Sequence, residues 1–246
     1  MTVFAKLTRS ELRLYLREPM LVFWGLIFPS VLVVILGCVP AFRESNPDIG
    51  GRRVIDLYVG IAVILTVAML ALQVAPAVLA TYRERGILRR LATTPAPPVA
   101  LLGAQLVVSM LTAVVSIGLV LLVGRLGFDV PLPRRPAGFL LAFLLTAGAA
   151  LAIGLLVAAV APSGKAANAI GSVLFFPTMF FAGLWTPREA FPEVLRRISD
   201  LTPLGAGEKA VAAAMSGSWP SWGSLTVLVA YMVVFGFAAA RLFRWE

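Results

Sequence analysis

Five uninterrupted runs, at 20–42, 57–82, 91–124, 136–164 and 166–187, contain no Asp, Glu, Lys or Arg, and a sixth such run ends at 240. Hydrocarbon offers no partner for a backbone N–H or C=O, so a segment that crosses it must satisfy these groups within itself, which a helix does. About 20 residues suffice to cross. The third, fourth and sixth runs exceed that length and are trimmed at Pro98, Ala137 and Trp219. The pattern predicts an all-α polytopic membrane protein with six transmembrane helices. With 60% hydrophobic and only 13% charged residues, against roughly 25% charged in soluble domains, no stretch is left to bury a soluble core. One membrane domain over 1–246 is expected: an N-terminal amphipathic interfacial helix at 1–19, five spans within 20–184 with a cytoplasmic connector at 82–95, an external loop at 185–218, and a last span at 219–240.

Pro29, Pro76 and Pro177 fall inside these runs and mark expected kinks, since neighbouring helices can satisfy the carbonyls a proline frees. In the fourth run Ala150, Gly154 and Ala158 recur every four residues, with Gly148 and Ala152 beside them. Such a face packs closely on another helix, although a generally alanine-rich span reads the same way.

Orientation is not decided by counting. With the N-terminus inside, 11 of the 21 Lys and Arg lie on the cytoplasmic side and 10 outside. Their distribution says more. Lys6, Arg9, Arg13 and Arg17 form one stripe on a helix, flanked by Val3, Leu7 and Leu14 and interrupted by Glu11 and Glu18. Anionic lipid of a bacterial plasma membrane attracts such a stripe by about 1 kcal/mol per basic residue, which places the N-terminus, and after six crossings the C-terminus, in the cytoplasm. The net charge of +9 sits between apolar runs, where it suits lipid headgroups or an acidic protein and not nucleic acid.

The spans carry no charge once trimmed, which argues against proton relays and charged ion sites. Histidine is absent and Cys38 is the single cysteine, so Cys or His metal clusters and His-based acid–base chemistry are excluded. Cys38 is expected to be a small buried residue. Gln73 and Gln105 are the main polar side chains at depth; either packs helices through a hydrogen bond or faces a substrate path. No phosphate-binding loop occurs, since Gly164-Lys165 is followed by Ala166. Uphill transport would therefore draw on a separate ATPase. A membrane enzyme or assembly factor acting on lipid-linked substrates is the alternative, with loop carboxylates such as Asp56 and Asp129 as its available acids.

The connector YRERGILRRLATTPAPP reads as a short docking helix or as a positive-inside anchor. Ile87, Leu88 and Leu91 share a face, and Pro95 limits the helix. Further along, Phe175, Phe176, Phe180, Phe181 and Trp185 crowd the end of the fifth run; they either stack on a flat hydrophobic substrate or form an interfacial belt.

These two regions resemble the permease subunits of type-2 ATP-binding-cassette exporters, especially the branch similar to daunorubicin exporters. The connector is similar to that family's Glu-x-x-x-Gly-x-x-x-x-Leu-x-x-x-Pro pattern, with Arg83 in place of the first acid and Glu84 beside it. The segment FFPTMFFAGLWTPREAFPEVLRRISDLTPLGAGEKAVAAAMSG supplies the second likeness, at Gly183, Pro187, Pro192 and Pro203-Leu204. The resemblance implies a transport subunit that does no covalent chemistry and binds no cofactor, with ATP and Mg held by a separate ABC ATPase. It implies a second permease chain, as a homodimer, in contact with membrane lipids. It also implies that the N-terminal helix and Arg83, Glu84, Arg85, Gly86, Leu88, Arg89, Arg90 and Leu91 couple to the ATPase, and that short helices in the last external loop cap the path. A helical stretch at 190–201 fits that cap. The candidate path residues are Gln73, Gln105, Phe176, Phe180 and Phe181, suited to a hydrophobic drug, lipid or lipid-linked molecule.

Overall fold

A computed structural model describes residues 3–87, 90 and 98–242. Leu88, Arg89 and Leu91 of the connector lie outside the described residues. The helices are α1 (Val3–Arg17), α2 (Pro19–Gly37), α3 (Val54–Glu84), α4 (Pro98–Phe128), α5 (Pro136–Val160), α6 (Gly164–Phe181), α7 (Glu193–Leu201), α8 (Pro203–Ser216) and α9 (Trp222–Leu242). A two-stranded antiparallel ribbon, β1 (Ser45–Asn46) with β2 (Arg52–Arg53), pairs Ser45 with Arg53 between α2 and α3. By length and composition α2, α3, α4, α5 and α9 can each cross a membrane, so the chain is a multi-pass, all-α membrane protein. The fifth run forms α6, an 18-residue helix whose first turns carry Lys165 and Asn168 and are correspondingly less apolar.

The long helices alternate in direction, giving the molecule an α1 end and a ribbon end. α3 is central and the most buried; Ile55, Ile61, Ile64, Leu65, Leu72 and Leu79 are all sealed from solvent. α9 is the most exposed of the long helices, as suits a helix solvated by lipid.

Prolines set the local geometry of the first two spans. Met69–Val74 in α3 and Phe23–Ile27 in α2 wind as π-turns, ending just before Pro76 and Pro29. Ala75 N–H donates to the Leu70 carbonyl, five residues back, and Pro76 has no N–H to offer. The Ala71 and Leu72 carbonyls thus lose their ordinary partners four residues on. Two glycines on neighbouring helices meet them. A Cβ at Gly154 of α5 would overlap the Ala71 oxygen, and one at Gly171 of α6 would overlap the Leu72 oxygen. Only glycine allows that approach, where Cα–H groups can face the freed carbonyls.

The small-residue face of α5 is used within the chain. Ala150 and Ala158 are buried, Gly154 seats α5 on α3, and Gly148 receives Met232 of α9. α1 lies across the start of α4, with Phe4 against Gly103; Lys6, Arg9, Arg13 and Arg17 are exposed while Glu11 and Tyr15 are buried. Tyr15 donates to the Leu21 carbonyl at 3.0 Å, fixing the turn from α1 into α2. Cys38 corrects its expectation: it is exposed, because α2 stops at Gly37 and leaves the next residue at the rim.

Candidate functional site

At the α1 end, three consecutive residues of α3 tie four helices together. Tyr82 donates to Glu11 Oε2 of α1 at 2.9 Å. Burial raises the Glu11 carboxyl above its ordinary value, and this hydrogen bond opposes the rise. Arg83 donates to the Ala159 carbonyl at 2.8 Å and to that of Ala161, capping the negative end of the α5 dipole. Glu84 Oε2 accepts from the Gly164 N–H at 3.0 Å, so a carboxylate sits on the positive end of α6. Ser163 caps the same helix through Ala166 N–H at 3.2 Å. The coupling set expected from sequence therefore divides. Arg83, half-buried, and Glu84, exposed, are anchored by these bonds to α5 and α6, whereas Arg85 and Arg90 are exposed on either side of Gly86, whose φ of +67° is the left-handed turn glycine permits.

Above these anchors a cleft of about 580 Å³ opens between α2, α3 and α6, with Leu21, Trp24, Met69, Gln73, Lys165 and Asn168 on its walls. The π-turn carries Gln73 toward α6, where its amide and the Ser172 hydroxyl meet at 3.3 Å. Ser172 also donates to the Asn168 carbonyl at 2.9 Å. Lys165, Asn168, Ser172 and Phe176 follow one another at helical spacing along one stripe of α6, and beside it Val173 is exposed.

The remaining path candidates are not brought together. Gln105 is buried in α4 and does not line the cleft. It heads a buried polar ladder, Gln105, Ser109, Thr112 and Ser116, in which Ser116 donates to the Leu26 carbonyl at 3.1 Å and lies 3.4 Å from the Thr66 hydroxyl; the ladder knits α2, α3 and α4. Phe176 is exposed and stacks on Trp185 at 6.1 Å. Phe180 stacks on Phe191 at 5.3 Å, and Phe181 lines a separate apolar groove between α5, α6 and α9.

The ribbon end holds the cluster that sequence reasoning missed. Arg188, only 7% exposed, donates to Ser199 at 2.7 Å, to Glu208 at 2.8 Å and to Asp200; Lys209 pairs with Asp200. Ser199 in turn donates to the Phe181 carbonyl at 2.6 Å, which bonds this cluster to the end of α6. Burial pushes the Glu208 carboxyl up to about 7 against the pull of Arg188. α8 rests on α5, with Gly207 against Thr146. The available signal was a Glu-Lys pair inside the otherwise uncharged run 203–216.

Residues 2–216 match the ABC-2 type transporter family, a stretch reaching from α1 through α8. The chain is also similar to YvfS of Bacillus subtilis (strain 168), a protein named as a transport permease. Identity is 25% over 242 residues, covering 96% of this chain and 94% of YvfS. Family agreement over most of its length, on a multi-pass helical frame, means that the chain belongs to the ABC-2 type transporter family, as a permease subunit whose partner is an ABC ATPase.

Proposed function

We propose that the chain is the membrane half of an ATP-driven exporter, with the cleft between α2, α3 and α6 as half of the translocation path. The carrying observation is that cleft. It reaches from the anchored α1 end to the π-turn at Gln73, is polar on one wall and apolar on the others, and is left open sideways by the single chain. A second copy, as a homodimer, closes it. In this reading α6 is the fifth of six crossings of a bacterial plasma membrane, and α1 lies in the cytoplasmic interface with its basic stripe on anionic headgroups. Both termini are then cytoplasmic, and α7 and α8 cap the outer end. Arg85 and Arg90 meet the ATPase, which holds ATP and Mg. Arg83 and Glu84 relay its movement to α5 and α6, and Gly86 gives the connector its turn. The cargo is hydrophobic or amphipathic, in the range of drugs, lipids and lipid-linked molecules; export of a toxic drug would confer resistance to it.

The test is co-expression with the candidate ATPase, purification of the complex and reconstitution in vesicles. Expected are co-purification, ATP hydrolysis and ATP-dependent accumulation of an amphipathic dye inside inverted vesicles. Accumulation that persists without ATP, or an ATPase that never associates, rejects the proposal.

A further inference from the structure

The charge of the cleft narrows what it carries. Lys165 stands at its α1-end mouth, exposed and without a carboxylate in ion-pair distance among the described residues. The nearest acid on the connector, Glu84, is engaged by the Gly164 N–H. Among the described residues no Asp or Glu lines the cleft. Asn168 and the Gln73–Ser172 pair continue the polar wall inward, and Ser172 lies seven residues beyond Lys165, a rise of about 10 Å. Facing them are Leu21, Trp24 and Met69. The wall therefore offers a cation and amide and hydroxyl groups at one end and apolar surface beyond, inside a volume of the size that holds small ligands. The amides of the α6 N-terminus do not add to it, since Gly164 and Ala166 donate to Glu84 and Ser163.

A cationic amphiphile entering here would leave its hydration shell with no carboxylate among the described wall residues and meet Lys165 as a like charge. An anionic one would gain a charge-assisted bond at the mouth while its tail reached the apolar wall. We infer that the cleft selects amphiphiles bearing a phosphate or carboxylate group next to an apolar chain, with Lys165 as the specificity-determining residue and Asn168 as the next polar contact inward. This rests on the cleft being the substrate path, but the binding it claims needs neither ATP nor the ATPase.

Binding to the full-length permease in a nonionic detergent, followed by native mass spectrometry, tests it with four probes: dihexanoyl phosphatidate, laurate, dihexanoyl phosphatidylcholine and dodecyltrimethylammonium. Both anions are expected to bind at least about tenfold more tightly than the cation, the scale of one charge-assisted bond. A preference between phosphatidate and laurate identifies the anionic group. Lys165→Met should lower anion affinity by about the same factor and Lys165→Arg should preserve it. Arg125→Met removes an equal charge from the exposed end of α4, outside the cleft, and should change little. Equal or tighter binding of the cation, or equal losses in the Lys165→Met and Arg125→Met variants, overturns the inference. Because no nucleotide is present, these outcomes stand apart from the vesicle experiment: transport can fail while anion selection holds, and the reverse.

Discussion

At Glu208, burial and pairing act in opposite directions. A carboxyl removed from water prefers to keep its proton, and the Arg188 guanidinium favours releasing it; Arg188 must also serve Asp200, so burial prevails and the group titrates near 7, above its ordinary 4.5. The folded state then binds more protons than the unfolded chain between these values. Its contribution to stability is complete below pH 4.5 and is lost as pH rises through about 7. In detergent the melting temperature should decline across that window, and Glu208→Gln, which keeps the neutral form, should flatten the decline. An unchanged slope would show that another group sets it. Arg188→Met, which leaves the buried Glu208 carboxyl without its ion-pair partner, should cost about 3–5 kcal/mol at neutral pH. Neither residue stood out in the sequence, because charge in a loop is ordinary and its burial follows only from α8 folding back over α5. Cys38 shows the converse: its type suggested burial, and the end of α2 exposed it.

Among elements, the connector after α3 shows what spacing reveals and what it hides. Its arginines and Gly86 were legible as a unit, but their division was not. Arg83 and Glu84 differ from Arg85 only in the side of α3 they leave from, and that is fixed by where α5 ends and α6 begins. Arg83→Ala should therefore destabilise the protein by about 2 kcal/mol, the worth of hydrogen bonds made by a charged group, as a lower melting temperature with or without the ATPase. Arg85→Glu should leave the melting temperature intact while abolishing substrate-stimulated ATP hydrolysis by the complex. The same loss of stability in both would remove the distinction between anchor and docking residue. The π-turns belong here as well. Pro76 and Pro29 announced irregularity, and the small residues of α5 announced close packing. That Gly154 and Gly171 meet the carbonyls around Pro76 depends on three helices at once and has no local signature. α8 went unseen from residues alone, since its Pro, Gly and Ala composition lacks the amphipathic period that made α7 visible.

For the molecule as a whole, uncharged runs told almost everything about residence in a membrane and nothing about how many chains share it. The single chain shields α3 but leaves Trp24 and Ile27 on α2 and Val173 and Phe176 on α6 exposed on either side of the Gln73 cleft. Lipid satisfies such apolar surface, so exposure alone does not call for a partner. The polar wall does: Asn168 is exposed beside the Gln73–Ser172 pair, and lipid tails against it would leave a polar group in hydrocarbon, at a cost of several kcal/mol if unsatisfied. A second copy that closes the cleft removes that cost and encloses a path. Cross-linking decides it. With the exposed Cys38 replaced by Ser, Val173→Cys should give a covalent dimer in native membranes with a short bifunctional maleimide, while Val233→Cys on the outer face of α9, 59% exposed, should not. Dimer formation only at Val233 would move the interface to α9 and leave the cleft facing lipid. Cross-linking of Val173 to a different polypeptide would make the path a heterodimer.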